Sequence, residues 1–311
     1  MTTAMYLGAP LVPVPVNDII DAHHHLWDLE AVRYPWLLER GVKRFFGDPT
    51  PIQRNYLPAD LERDIGTLPV SRSVHIQVGA APGQSLAETE WLQSVSESGK
   101  HKPQAIVAFA DLSADDIEET LDRQLAYPSL RGIRQIVGRS VEEDAKTGTA
   151  TLLDNPDWVE GLASLIPRGL SFDLQLIPAQ IPDALAVLRQ LPGLPVAVCH
   201  CASPWDQSRQ GLKTWRAHVR ALAELPQVFC KLSGFGMFDH NWTVESIRPI
   251  ILEAVDAFGA SRCMFGSNFP VDKLHRDYAA LYDAYFDVVN HFSLDEKQAL
   301  FCDTAASFYR I

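Results

Sequence analysis

Short apolar, β-rich runs recur along the chain, separated by amphipathic stretches. The pattern predicts strands over 18–25, 72–78, 104–110, 132–137, 171–176, 195–200, 228–233 and 262–267. Helices are expected over 86–98, 115–126, 182–190, 213–225 and 247–258, and the first opens on Ser85-Leu86-Ala87-Glu88, the Ser-x-x-Glu spacing of a capping box. Eight strands alternating with helices, without a break in composition or an internal repeat, predict an α/β fold. The form expected is a (β/α)8 barrel, one domain over 1–311. A doubly wound sheet is the runner-up, but no Gly-x-Gly-x-x-Gly follows any strand. The stretch 27–60 is aromatic and proline-containing, which predicts a long loop insertion after the first strand.

Composition narrows the class. Of the 311 residues, 47% are hydrophobic and 21% charged, enough apolar material for a large core and too much for a disordered or fibrous chain. The 27 Lys+Arg stand against 39 Asp+Glu, a net charge of −12 with no basic run, which argues against a nucleic-acid or anionic membrane partner. The first twenty residues lack a positively charged region and are broken by Pro10, Pro13 and Pro15, so they read as neither a signal peptide nor a membrane span. The five cysteines are an odd number, mostly in apolar strand-like segments where a thiol packs as a small hydrophobe. A cytoplasmic location, a small-molecule substrate, and a monomer or homodimer are the expectations. Cys199-His200-Cys201 is not expected to hold zinc, because adjacent strand residues point to opposite faces.

In such a barrel chemistry sits at the C-terminal ends of the strands. There Asp21, His23 and His25 share one face of the first strand, and two imidazoles two residues apart can aim at one atom. His200 is in phase with Val196 and Val198. Arg134 and Gln135, His75 and Gln77, and Asp173 and Gln175 add polar side chains to otherwise apolar strands, and Asn268 and Asp272 follow the eighth. Buried polar groups need partners, so this number implies a polar cavity, with His75, Asp173 and Gln175 equally readable as braces. Trp27, Tyr34, Trp36, Phe45, Phe46, Trp205, Trp242 and Phe269 fall in loops after strands. Several of them at the mouth would mean a substrate with an apolar or aromatic part. Arg134, Arg139 or Lys273 could draw an anion locally.

The ordered motifs Asp-Ala-His-His-His-Leu-Trp-Asp (21–28), Glu88-Thr89-Glu90-Trp91-Leu92, Gly132-Ile133-Arg134-Gln135, Cys199-His200-Cys201-Ala202-Ser203-Pro204, Lys231-Leu232-Ser233-Gly234 and Met264-Phe265-Gly266-Ser267-Asn268-Phe269-Pro270-Val271 resemble the amidohydrolase-related (amidohydrolase 2) family. The likeness runs over roughly 18 to 311 and is nearest its lactonase branch, which includes L-fucono-lactonase, 2-pyrone-4,6-dicarboxylate lactonase and sulfomuconolactonase. It implies a distorted (β/α)8 TIM barrel and hydrolysis of a cyclic ester. It also implies that His23, His25 and His200 are the site histidines and that Arg134 contacts a substrate carboxylate or carbonyl. Gln77, Gln175 and Trp27 complete the expected substrate contacts. The family's eighth-strand acid falls on Asn268, and an amide can neither take a proton nor neutralise a metal. Asp272, His25 or His200 then becomes the base, and Asn268 orients water or holds the carbonyl oxygen. No cofactor is expected to be required, and His23, His25 and His200 are the ligands for any weakly bound divalent ion such as zinc. Metal-dependent decarboxylation, C–N hydrolysis and an inactive binding barrel are the alternatives.

Overall fold

The computed structural model describes residues 14–98 and 103–311, so most of the N-terminal stretch discussed above lies outside the described residues. Eight parallel strands are paired in chain order: β1 (Ile19–His24), β2 (Val70–Ile76), β3 (Ala105–Ala108), β4 (Leu130–Ile133), β5 (Ser171–Leu174), β6 (Val196–Val198), β7 (Val228–Leu232) and β8 (Cys263–Phe265). This is the (β/α)8 barrel of the sequence reading, with most strands shorter than their apolar runs. The ring closes just beyond the strand ends. There the Asn268 N–H donates to the His23 carbonyl and the His25 N–H to that of Phe269, both at 2.7 Å. Gly266 makes the approach possible, since a Cβ there would lie 2.7 Å from that of His23.

Inside the ring, Ile20, Ala22, Val74, Ile76, Val107, Ala197 and Met264 form a compact apolar cluster. The last turn of the chain plugs its N-terminal mouth: Phe308 and Tyr309 join this cluster, and Arg72 Nη1 donates to the Ile311 carbonyl at 2.9 Å. The Tyr309 hydroxyl donates to both Asp173 carboxylate oxygens at 3.0 Å. Lys231 Nζ lies 2.5 Å from Asp173 Oδ2, and neither side chain is exposed. Asp173 is therefore the brace that its alternative reading allowed.

The five expected helices are present as Ser85–Glu97, Ile117–Leu125, Ile181–Leu188, Arg209–Ala223 and Val244–Phe258. The Ser85 capping box does not form. Gln84 holds the cap position, and Glu88 turns inward to accept the Val78 N–H at 3.0 Å, where burial pushes its carboxyl up to about 7. Two helices, Val141–Thr147 and Pro156–Ala163, add to the pattern between β4 and β5. Ser140 caps the first by accepting the Glu143 N–H at 3.2 Å, and Gly148, at φ +72°, ends it. The insertion over 27–60 holds a short helix, Pro35–Leu38, and a bridge between Arg44 and Gly47. No helix among the described residues is long and apolar enough to cross a membrane, and all five cysteines are buried and free.

Candidate active site

Because the strands end early, the polar residues expected on them emerge just past them. His25, Gln77, Arg134 and Gln175 each follow the last residue of β1, β2, β4 and β5, His200 is two residues beyond β6, and Asn268 three beyond β8. They ring the C-terminal mouth over a cavity of about 290 Å³. Its lining includes His25, His200, Asn268, Arg134, Gln175 and Trp27. His23 lies deeper, its ring centroid 5.1 Å from that of His25 and 4.6 Å from that of His200.

Burial holds all three imidazoles well below the usual histidine range. The next largest influence is the Lys231 ammonium for His23 and the Arg134 guanidinium for His25 and His200. They are neutral at neutral pH. The tautomer of His25 follows from its partner: Nδ1 lies 2.7 Å from the Ile76 carbonyl oxygen, which can only accept. Nδ1 therefore carries the proton, and Nε2 is left with a lone pair for the cavity. His75 is tied likewise, Nε2 to the Leu26 carbonyl at 3.1 Å, and serves as a brace.

His200 arrives by a different route from strand phase. β6 stops at Val198, and His200, Cys201, Ala202 and Ser203 all have φ between +52° and +55°. Four consecutive non-glycine residues in this region are strained, by about 1–3 kcal/mol each. The turn is held from outside: Trp215 Nε1 donates to the Cys201 carbonyl at 2.7 Å, and His200 Nδ1 lies 2.9 Å from Ser233 Oγ. Gly234 is needed beneath it, because a Cβ there would sit 2.5 Å from His200 Nδ1. Cys199, His200 and Cys201 diverge because of this left-handed turn, not because of strand alternation.

Asn268 also has a positive φ, +55°, which asparagine tolerates better than most residues. Asp272 is buried behind it, against its side chain and the Gly234 and Gly236 backbone, and burial pushes its carboxyl up to about 7. Neither the Asp272 oxygens nor the Asn268 Nδ2 makes a well-aligned hydrogen bond within the protein. Asp272 is not part of the cavity lining. Asp21 is likewise turned away, accepting from Ser267 N–H (2.8 Å), Ser267 Oγ (2.6 Å) and Tyr278 (3.0 Å).

Arg134 is 5% exposed; Nη1 donates to Gln175 Oε1 at 3.1 Å and Nη2 to the Gln77 carbonyl at 2.7 Å, while Nε has no partner. The Gln77 side chain is spent on the Gly79 N–H at 2.6 Å, and it does not line the cavity. Trp36, Phe45 and Phe46 join Trp27 in the lining, whereas Trp205 packs behind Phe45 with centroids 5.5 Å apart. Lys273 is outside the cavity, 2.6 Å from Asp64 Oδ2. Arg44, Glu143 and Thr147 line it without having been singled out in the sequence. Ser140, Glu143 and Gly148, read as a cap and a stop, would have placed the helix that carries two of them.

Among the described residues, His23, Asp173 and Cys199 offer three donor atoms within 4.8 Å of one another. His23 has two unpartnered nitrogens, as a ligand would. The rest of the set fits a tightly held divalent ion poorly. Asp173 is already paired with Lys231, burial pushes the Cys199 thiol up to about 12, and Asn268 brings no charge.

The amidohydrolase family profile matches residues 20–311. An uncharacterized protein of Sinorhizobium fredii, y4mH, is 41% identical over 94% of this chain and 98% of its own. L-fucono-1,5-lactonase of Burkholderia multivorans is 29% identical over 94% and 96%. Crystal structures of an amidohydrolase from Burkholderia multivorans superpose with TM-scores of 0.80, with HEPES bound, and 0.78, with zinc bound. They are 27% and 26% identical and cover 94% of this chain and 99% of theirs.

Proposed function

Because the chain belongs to the amidohydrolase family, whose profile takes in all eight strands, we propose that it opens a lactone by adding water to the ring carbonyl. One observation carries the reading: a neutral imidazole, His25, has its tautomer set by Ile76 so that Nε2 is a base, over a cavity that Asn268 and Arg134 also line. The similarity to L-fucono-1,5-lactonases supports it.

The water oxygen bonds to the lactone carbon while its proton passes to His25 Nε2. The carbonyl oxygen, now an anion, is held by the Asn268 amide and by His200 in the tautomer with its proton on Nε2, whose Nδ1 then accepts from Ser233 Oγ at 2.9 Å. The ring C–O bond then breaks, and the departing alkoxide takes the proton back from His25, giving a hydroxy acid that ionises to its carboxylate. Arg134 orients an anionic or carbonyl group of the substrate. No step runs through a metal, since the donor set suits one poorly.

The test is proton release from a panel of sugar and aromatic lactones by chelator-treated protein. Hydrolysis is expected to persist within about twofold of the untreated rate, because the neutral base and the oxyanion donors all come from the chain. Silence across the panel, with and without added zinc, overturns the lactonase reading.

Asn268→Asp supplies the charge that the metal set lacks. Its zinc affinity, read by competition with a chromophoric chelator, is expected to rise at least tenfold, because a carboxylate joins His23, His25 and His200. Unchanged affinity would separate Asn268 from those histidines.

A further inference from the structure

Asn268 has one freedom left. Its main chain is fixed, with the N–H donating to the His23 carbonyl at 2.7 Å and the carbonyl accepting the Asp272 N–H at 3.1 Å. Its side chain is buried and lines the cavity. An amide has nearly the same shape either way round, so the group behind it decides whether oxygen or nitrogen faces the substrate. That group is the Asp272 carboxyl, brought back behind Asn268 by the turn that their backbone bond closes.

Two glycines make the seat of this carboxyl. A Cβ at Gly236 would lie 2.5 Å from Asp272 Oδ1, and the backbone N–H groups of Gly236 and Gly234 face the carboxyl oxygens. No cation pairs with it among the described residues. Lys273 is held by Asp64 Oδ2 at 2.6 Å, Arg276 Nη2 donates to the Trp242 carbonyl at 2.9 Å, and His275 Nε2 lies 3.0 Å from the Phe46 carbonyl oxygen. Tyr285, on the helix Tyr278–Val288, spends its hydroxyl on the Gly266 carbonyl at 3.1 Å. Burial therefore outweighs Asn268 and the two glycine amides, and pushes the carboxyl up to about 7. A seat of this kind keeps an acid neutral, so that it can donate.

We infer that Asp272 is a positioning residue acting as an acid: its O–H donates to Asn268 Oδ1 and so turns Asn268 Nδ2 towards the carbonyl oxygen of the bound lactone. This rests on the lactone-hydrolysis reading. The glycine amides take one carboxyl oxygen, which leaves the other, with the proton, for Asn268. While Asp272 keeps that proton, Nδ2–H is presented to the oxyanion. Once it ionises, the carboxylate can only accept, so it draws Nδ2–H to itself and presents Asn268 Oδ1 to the developing negative charge. The proton exchanges with solvent and takes no part in the bond changes of the reaction. A base in the same place has the opposite sign, losing activity as pH falls through that value and not as it rises.

The test is kcat/KM, corrected for spontaneous hydrolysis, from about pH 6 to about pH 8.5 on the lactone of the panel that is turned over fastest. It is expected to fall by about tenfold or more on the alkaline side. Asp272→Ala is expected to be slowed by about tenfold or more in kcat across the whole range, with KM little changed. Asp272→Asn sets a permanent amide donor against Asn268, so it should recover most of that loss and show no alkaline fall. Glu88, also pushed up to about 7, is the control: Glu88→Gln should keep the fall. Thermal melting confirms the fold of each variant, and infrared difference spectra follow the C=O band of the protonated acid. A wild-type profile flat above neutrality, an alkaline fall that survives in Asp272→Asn, or an acid-side fall that this variant abolishes overturns the inference and leaves lactone hydrolysis in place. If neither Asp272 variant folds, a flat wild-type profile, or an alkaline fall abolished by Glu88→Gln, still overturns it. If no lactone is hydrolysed, the reaction reading falls, whereas an acid band missing from Asp272→Asn sustains the proton behind Asn268.

Discussion

Replacing His25 with alanine is expected to slow lactone hydrolysis by about a hundredfold to ten-thousandfold, the range for losing a positioned general base. The expectation rests on Nδ1 being committed to the Ile76 carbonyl, so that Nε2 is the proton acceptor facing the cavity. The pH profile discriminates the candidates more sharply than the rate. Burial and Arg134 hold His25 well below 6.5, so kcat/KM should stay flat from neutral pH down past 6.5 and be lost only as pH falls through that lowered value. Were Asp272 the base, the break would come near its raised value of about 7. His200→Ala is expected to cost about a hundredfold with the profile unmoved, since the proposed mechanism gives His200 the oxyanion and His25 the proton. Near-normal turnover of His25→Ala would remove it from the mechanism.

The largest effect on stability is expected at the centre of the barrel. Lys231→Met leaves the Asp173 carboxylate buried, with only the Tyr309 hydroxyl to satisfy it, and should destabilise the fold by about 3–5 kcal/mol. Adding Asp173→Asn keeps an oxygen for Tyr309 and removes the stranded charge. The Asp173→Asn/Lys231→Met protein should therefore recover more than half of that loss in urea denaturation. If the double variant is as unstable as the two single ones added together, the residues are not coupled and the ion pair is incidental.

The barrel was legible because each strand is a short apolar run and each connection is long enough for a helix. The site was legible in part, for a related reason: polar residues at the ends of apolar strands have few places to go except the mouth. His25, Arg134, Gln175 and Asn268 could be placed at the cavity that way, whereas His23 lies deeper, within β1. Gln77 shows the limit, since its position at the end of β2 says nothing about the Gly79 N–H that claims its side chain. Arg44, Glu143 and Thr147 were not legible as site residues, because their place depends on how two loops fold over the mouth. The left-handed turn at 200–203 has no glycine to announce it and is imposed by Trp215 and Ser233, contacts that no local pattern encodes. Lys231 reads locally as one residue of a strand, and its role appears only when Asp173 is brought beneath it.

The seal at the N-terminal mouth bears on how the chain folds. Tyr309 reaches back 136 positions to Asp173, and the lumen cluster is incomplete without it and Phe308. Until these residues dock, the chain has all eight strands available but an uncorked lumen. Water then reaches the Asp173–Lys231 pair, and the apolar residues around it remain half covered. Contacts of such long range are late ones. Closure of the barrel is therefore expected to end with the docking of the turn Thr304–Tyr309, which excludes water from the interior, and a chain with that turn undocked is expected to be vulnerable to proteolysis.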